Sequence, residues 1–514
     1  MLLKQIAIYK GLQILKSHEL AQAKAKKEIN KSINSIKTLC KDLTSFGELS
    51  FYIYYLHLTR ILKHSHDDSL VHMSSNSFDD VCKYLIGCII SYGKIDEHKS
   101  VNIDLTTYLT KLALHINSNY EAISFLSLFD NITLYGKRNQ YVRIDMSENL
   151  HDSKKKHFFE YSHRAQKYIH NEKMDMKDHN EFLSLFRTKF IPYDDLIRKE
   201  FGANVDAIVC IVDKLLNTII AKLEVSTTKC QKFEDGKIDV QSSITMYTTI
   251  SSFIFSKELL IELIDLEGIK LLEKFTFNKN DFDIHQLGYH LVLRQPLIKI
   301  KTEYIISPQL LLDSLLVNFH YSLLESKAVK HEYKKRSSDF FLNEIANIAV
   351  KHGYKELTRE LELYNGKKQL GDIDLLLYNE KSDQYILVEA KNHSLPLDVY
   401  YGDMLATDKH LKYLQSHWED KVSKRFQHLK AQYKNYGIGE NFKYLIVTKY
   451  PEILSHFSPF LVLSLNEFEY FLENVQVSYD FQNIYNNLFA KDHFEAEQMK
   501  QFTEDFTNFY FAKE

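Results

Sequence analysis

Hydrophobic and polar positions divide the chain near residue 330: before it apolar residues recur mostly at helical spacing, and after it they also run in short strand-like blocks. Residues 1–45 read as one long helix or a broken pair, with apolar positions thinning after Leu20. Apolar helices follow over 48–64, 81–93 and 105–116. A polar loop at 64–80 carries His64, His66, Asp67, Asp68 and His72, without a ligand spacing such as H-E-x-x-H. Between 137 and 165 the pattern changes: YVRIDM alternates like a short strand, and HDSKKKHFFEYSHR reads as a polar, basic loop whose lysines at 154–156 face solvent or, as the alternative, touch phosphate. Helices resume over 181–191, 206–222 and 251–266, with a polar loop at 225–237 between the last two. A hairpin is expected around 301–303, and Ser307-Pro308 opens the next helix, serine as N-cap and proline at the first helical position.

Beyond a polar run at 327–339, FFLNEIANIAVKHGY places apolar residues at 341, 342, 345, 348 and 349, a helical face, with Gly353 as its C-terminal cap. KELTRELELY reads as a strand. IDLLLY and YILVEA then flank a polar segment, 379–383, suited to a hairpin loop. A long helical stretch over 406–436 precedes two more strands, FKYLIVTKY and LVLSL, and the helix NEFEYFLENV. These elements predict a largely helical accessory region over 1–330, an α/β domain over 331–475 and a C-terminal helical extension over 476–514.

Composition changes this picture little. The 15 Gly and 6 Pro are few for such a length, as expected of helices with few breakers. Five cysteines, at 40, 82, 88, 210 and 230, form no C-x-x-C pair, and their odd number fits reduced thiols. The N-terminal residues lack a signal-peptide pattern, and AIVCIVDKLLNTIIA carries Asp213 and Lys214, so a soluble, cytoplasmic protein with no membrane partner is expected. A formal net charge of −3 announces no partner, yet 406–436 holds seven Lys or Arg against three acids.

Candidate chemistry concentrates at 370–393. Alternation along a strand puts Glu389 and Lys391 on one face and Asp372 and Asp374 on one face. A turn centred between Lys381 and Ser382 sets Asp374 opposite Glu389 and Asp372 opposite Lys391. A lone E-x-K reads most simply as a cross-strand salt bridge. Two carboxylates and an ammonium at one end of an apolar hairpin ask for more, because buried charge needs a partner. Mg²⁺ is such a partner, taking one or two carboxylates plus substrate phosphate oxygens.

Asp374 in GDIDLLLY and Glu389-Ala390-Lys391 at the end of YILVEAK resemble the PD-(D/E)XK nuclease superfamily, although the proline of its name is missing. The resemblance covers roughly 335–475 and implies a restriction-endonuclease-like mixed sheet flanked by helices. It implies Mg²⁺, with Mn²⁺ able to substitute, held by Asp374 and Glu389, with Asp372 as an alternative first carboxylate. Lys391 would position or polarise the attacking water, and Glu344 matches a metal-site glutamate of the first helix. Gln432 and Tyr436 form a Q-x-x-x-Y pair, one turn apart on one helix face, similar to a pair in the nuclease domain of bacterial recombination exonucleases. Lys421, Lys424, Arg425, Lys430 and Lys434 would follow a phosphate backbone beside the site.

The activity so implied is phosphodiester hydrolysis leaving 5′-phosphate and 3′-hydroxyl ends, with DNA favoured over RNA. No phosphate loop, G-x-S-x-G or zinc-finger spacing occurs before residue 330, so that region is assigned to recognition, autoinhibition or assembly. The combination resembles stand-alone restriction or phage-defence effectors of bacteria. A homo-oligomer, a partner ATPase or helicase, and a catalytically silent or partner-dependent nucleic-acid-binding subunit remain open alternatives.

Overall fold

The computed structural model describes residues 13–14, 18–65, 69–128, 133–137, 141–145, 153–171, 179–229, 243–286, 291–474 and 480–489. His66, Asp67 and Asp68, most of the 225–237 loop and all of 490–514 lie outside them. Chain contacts separate two compact units, Met1–Asn149 with Glu172–Tyr333, and Leu150–Asn171 with Lys334–Glu514. No described helix is long and apolar enough to cross a membrane.

The first unit is largely helical, and it departs from expectation in three places. Within the helix or helix pair expected over 1–45, Gln13–Ile14 is a strand paired with Tyr135 and Gly136, and the helix is His18–Leu43. The expected 64–80 loop is interrupted, because a helix over Ser69–Tyr92 begins within it. Its polar Asp79 is buried and accepts a hydrogen bond from the Thr59 hydroxyl of Phe46–Ser65 at 2.7 Å, a partner that local polarity does not reveal. The helix expected over 251–266 is broken by the strand Ile254–Ser256, which pairs with Glu303–Ile306. Ser256 then caps Lys257–Lys274, its side chain accepting from the Leu259 amide. The hairpin around 301–303 forms as expected, closing at Ile300 and Glu303, and Ser307 and Pro308 start Pro308–Glu325 as N-cap and first residue.

The second unit opens with α1 (Ser153–Asn171), so the stretch expected as a basic loop is a helix. Phe158, Tyr161 and Arg164, at three-residue spacing, form its buried face. Lys154 pairs with Asp408 at 3.1 Å. Then come α2 (Lys330–Lys351), with the unit division in its first turn, β1 (Lys355–Asn365), β2 (Lys368–Asn379) and β3 (Gln384–Lys391). Next are α3 (Met404–Leu414), α4 (Asp420–Gln432), β4 (Phe442–Thr448), β5 (Val462–Ser464), α5 (Leu465–Glu473) and α6 (Phe481–Phe489). Gly353, at φ +81°, ends α2 where a left-handed residue is needed.

The strands form one mixed sheet in the order β5-β4-β3-β2-β1. β1, β2 and β3 run antiparallel in sequence, whereas β3, β4 and β5 are parallel neighbours. Leu375, Leu377, Ile386, Val388, Leu445, Val447 and Leu463 share one face and pack with Phe341, Ile345 and Ala349 of α2 and Phe468 and Phe471 of α5. Alternation leaves Asp374, Glu389, Lys391 and Tyr444 on the opposite face.

Candidate active site

The β2–β3 hairpin has the expected register, from Asn379 opposite Gln384 to Leu375 opposite Val388. The ladder stops one pair short of Asp374 and Glu389. There Asp374 accepts a hydrogen bond from the Ala390 amide at 2.7 Å, which ties the parting strands together through a side chain. β2 runs on to pair with β1, so Asp372 lies opposite Glu362 and not, as expected, opposite Lys391. Of the two candidate aspartates, Asp374 is therefore the one that stands at the end of β3 beside Lys391.

Lys391 reaches both acids, with Nζ 2.6 Å from Glu389 Oε1 and 3.9 Å from Asp374 Oδ2. Glu389 is buried, and its other oxygen accepts from Arg425 Nη1 and from the Tyr444 hydroxyl, the latter at 3.0 Å. Burial alone would raise both carboxyls. At Glu389 the Lys391 and Arg425 charges outweigh it and hold the group below the usual carboxylate range. At Asp374 burial and the neighbouring Glu389 charge dominate, and its carboxyl is pushed up to about 6. Two acids on one sheet face are thus driven in opposite directions by their surroundings, a perturbation of the kind that gathers at functional sites.

Arg425 corrects one expectation. Assigned to a phosphate backbone, it is buried, because Val422, Arg425 and Leu429 form the inward face of α4. Its Nε also donates to the Leu370 carbonyl at 3.3 Å. Gly371 makes this approach possible: a Cβ there would stand 2.3 Å from Arg425 Nη2, and its φ of +115° disfavours any other residue. A glycine in a strand can mark such a close approach, but it does not say which group comes near. Lys421, Lys424, Lys430 and Lys434 are exposed, as expected.

Three further expected residues are not brought to the carboxylates. Glu344 is exposed on α2, and no described hydrogen bond or ion pair joins it to Asp374, Glu389 or Lys391. The contact from α2 to the end of β3 is made two turns earlier, where Ser337 accepts from Asn392 Nδ2 at 2.7 Å. Gln432 and Tyr436 do not share a helix face, because α4 ends at Gln432 and a 3₁₀ turn, Tyr433–Tyr436, follows. Gln432 is exposed and accepts from Asn435. Tyr436 clasps β1 instead: its hydroxyl accepts from the Tyr364 amide at 3.0 Å and donates to the Tyr364 carbonyl at 3.2 Å.

The donor set suits a hard divalent cation. Asp374 and Glu389 lie side by side on one sheet face with Lys391 reaching both, and carboxylate oxygens are the ligands such a cation takes. Comparison with protein-family models, characterised proteins and solved structures finds no match to this chain, so the site rests on its own geometry.

Proposed function

We propose that the second unit is a metal-dependent nuclease of the PD-(D/E)XK type, acting on nucleic acid with DNA favoured. The observation that carries this reading is the placement of Asp374, Glu389 and Lys391 on one sheet face where the β2–β3 ladder opens. Asp374 and Glu389 would hold Mg²⁺, which when bound lowers the pKa of a coordinated water and offsets charge on the scissile phosphate. Lys391 orients the attacking water and adds positive charge beside the phosphate. Arg425 and Tyr444 hold the Glu389 carboxylate in place, so they position a ligand without touching substrate. Exposed Lys421, Lys424, Lys430 and Lys434 supply a salt-sensitive backbone contact. A role in bacterial defence or restriction is the biological setting that this architecture suits.

One observation favours a second reading, a latent subunit activated by a partner. Both Glu389 oxygens are already engaged, by Lys391 on one side and by Arg425 and Tyr444 on the other. A site so closed would open only when a partner draws Lys391 away from Glu389.

Cleavage of supercoiled, linear and single-stranded DNA, and of RNA, with Mg²⁺ or Mn²⁺ tests both readings. Wild type should cut, and Glu389→Ala and Lys391→Ala should lose at least about 100-fold in rate. Binding without cutting by wild type favours the latent subunit; cutting retained by both variants overturns the site.

A further inference from the structure

A second group of metal-ligand residues lies beyond the carboxyl ends of β3 and β4. These strands end level with each other, Lys391 beside Thr448. Two residues past Lys391 is His393, and four past Thr448 is Glu452; His410 of α3 completes the group. One ligand atom from each of the three lies within 4.8 Å of the other two. His410 Nε2 is 2.8 Å from Glu452 Oε2, and the His393 and His410 rings stack at 11° with centroids 5.4 Å apart.

Glu452 is 0% exposed, and no Lys or Arg pairs with its carboxylate among the described residues. Its Oε1 has no hydrogen-bond partner, and neither has the buried Nε2 of His393. A buried carboxylate oxygen and a buried imidazole nitrogen left unmet in one small group are costly unless something bridges them. A second His/Glu group makes the contrast. His157, Glu160 and His456 meet the same spacing, but there both carboxylate oxygens of Glu160 have partners, Oε1 with Lys156 at 3.6 Å and Gln482 at 3.1 Å and Oε2 with His157 and His456 at 3.4 Å each.

We infer that His393, His410 and Glu452 bind a divalent d-block cation, for which Zn²⁺ is the probe, at a site separate from the Asp374–Glu389 pair. Two imidazoles and one carboxylate are a borderline donor set that selects Zn²⁺ over Mg²⁺. Ligand atoms about 2.1 Å from one ion lie roughly 3.0–3.4 Å apart, so the 2.8 Å His410–Glu452 spacing needs little change, and the farthest atoms must close by at most about 1.4–1.8 Å. Bound there, the ion clamps α3 and the loop after β4 to the residue two past Lys391.

The full chain, stripped with chelator, equilibrated with Zn²⁺ and desalted, is assayed for metal by mass spectrometry, with Co²⁺ absorption reporting the ligands. Wild type should keep one equivalent in excess Mg²⁺, and Glu389→Ala should keep it too. His410→Ala should lower affinity by more than about 100-fold, and the half-buried His393→Ala serves if that variant fails to fold. No retained Zn²⁺ in wild type, or full retention in a folded His393→Ala or His410→Ala, overturns the site. Because Glu389→Ala separates the two centres, nuclease inactivity alone leaves this result readable.

Discussion

Two arginine–glutamate groupings in the second unit use the same chemistry toward different ends. Arg164 of α1 is wholly buried, its Nε 3.2 Å from Glu467, its Nη2 donating to the Glu452 carbonyl and the Ser455 hydroxyl, and its plane over the Phe481 ring. Arg425 is also buried on a glutamate, yet beside Glu389 stand Asp374 and Lys391, each about a quarter exposed. The first grouping joins α1 to α5, α6 and the loop after β4, and leaves no charge facing water. The second stops short of closure and keeps one carboxyl raised and accessible. A buried ion pair is thus common to both groupings, and what sets the second apart is the acid left over beside it.

The contrast can be broken most forcefully at Arg164. Arg164→Ala strands Glu467 in the interior and should cost about 3–5 kcal/mol, read as a lowered urea midpoint, without selective loss of metal-dependent cleavage in the protein that stays folded. An unchanged midpoint would show that the network is not structural. A smaller effect is expected from Gly371→Ala, whose Cβ would displace the Arg425 guanidinium: about 1–3 kcal/mol of stability and a fall in cleavage. In an Arg425→Ala background the same substitution should cost less, since only the backbone strain remains.

The mildest change sharpens the comparison through pH. Asp374 keeps its proton to about pH 6 when folded but releases it near 3.8 when unfolded, so the folded chain binds more protons in that window. Stability from this group falls as pH rises through the window and stays low above it. Asp374→Asn should raise stability at pH 8 by about 2 kcal/mol while abolishing cleavage, and the gain should shrink toward zero as pH falls below the window. Glu389, held below its ordinary 4.5, contributes in the opposite sense: its stabilisation is present above that value and lost on acidification. Thermal melts of wild type, Asp374→Asn and Glu389→Gln across pH check both signs.

Much of the second unit was legible from local pattern. Period-two alternation and the short polar turn set the β2–β3 register, and with it the shared face of Asp374, Glu389 and Lys391. Apolar spacing located α2, Gly353 its end, and short apolar runs the strands β4 and β5. Such features depend on neighbours within a few residues.

What only the tertiary structure decided are the pairings across long stretches of chain. Arg425 and Glu389 are 36 residues apart, and Arg164 meets the Glu452 carbonyl across 288. No local rule distinguishes Arg425 from the exposed lysines around it, or makes the polar stretch from Ser153 to Arg164 a helix with a buried arginine. Glu344 and the Gln432–Tyr436 pair matched a pattern in residue type and spacing, but helix rotation and an early helix end placed them elsewhere. Alternation and turns are properties of the chain itself, whereas which buried charge finds which partner is a property of the packed sheet and helices, where desolvation makes each pairing matter.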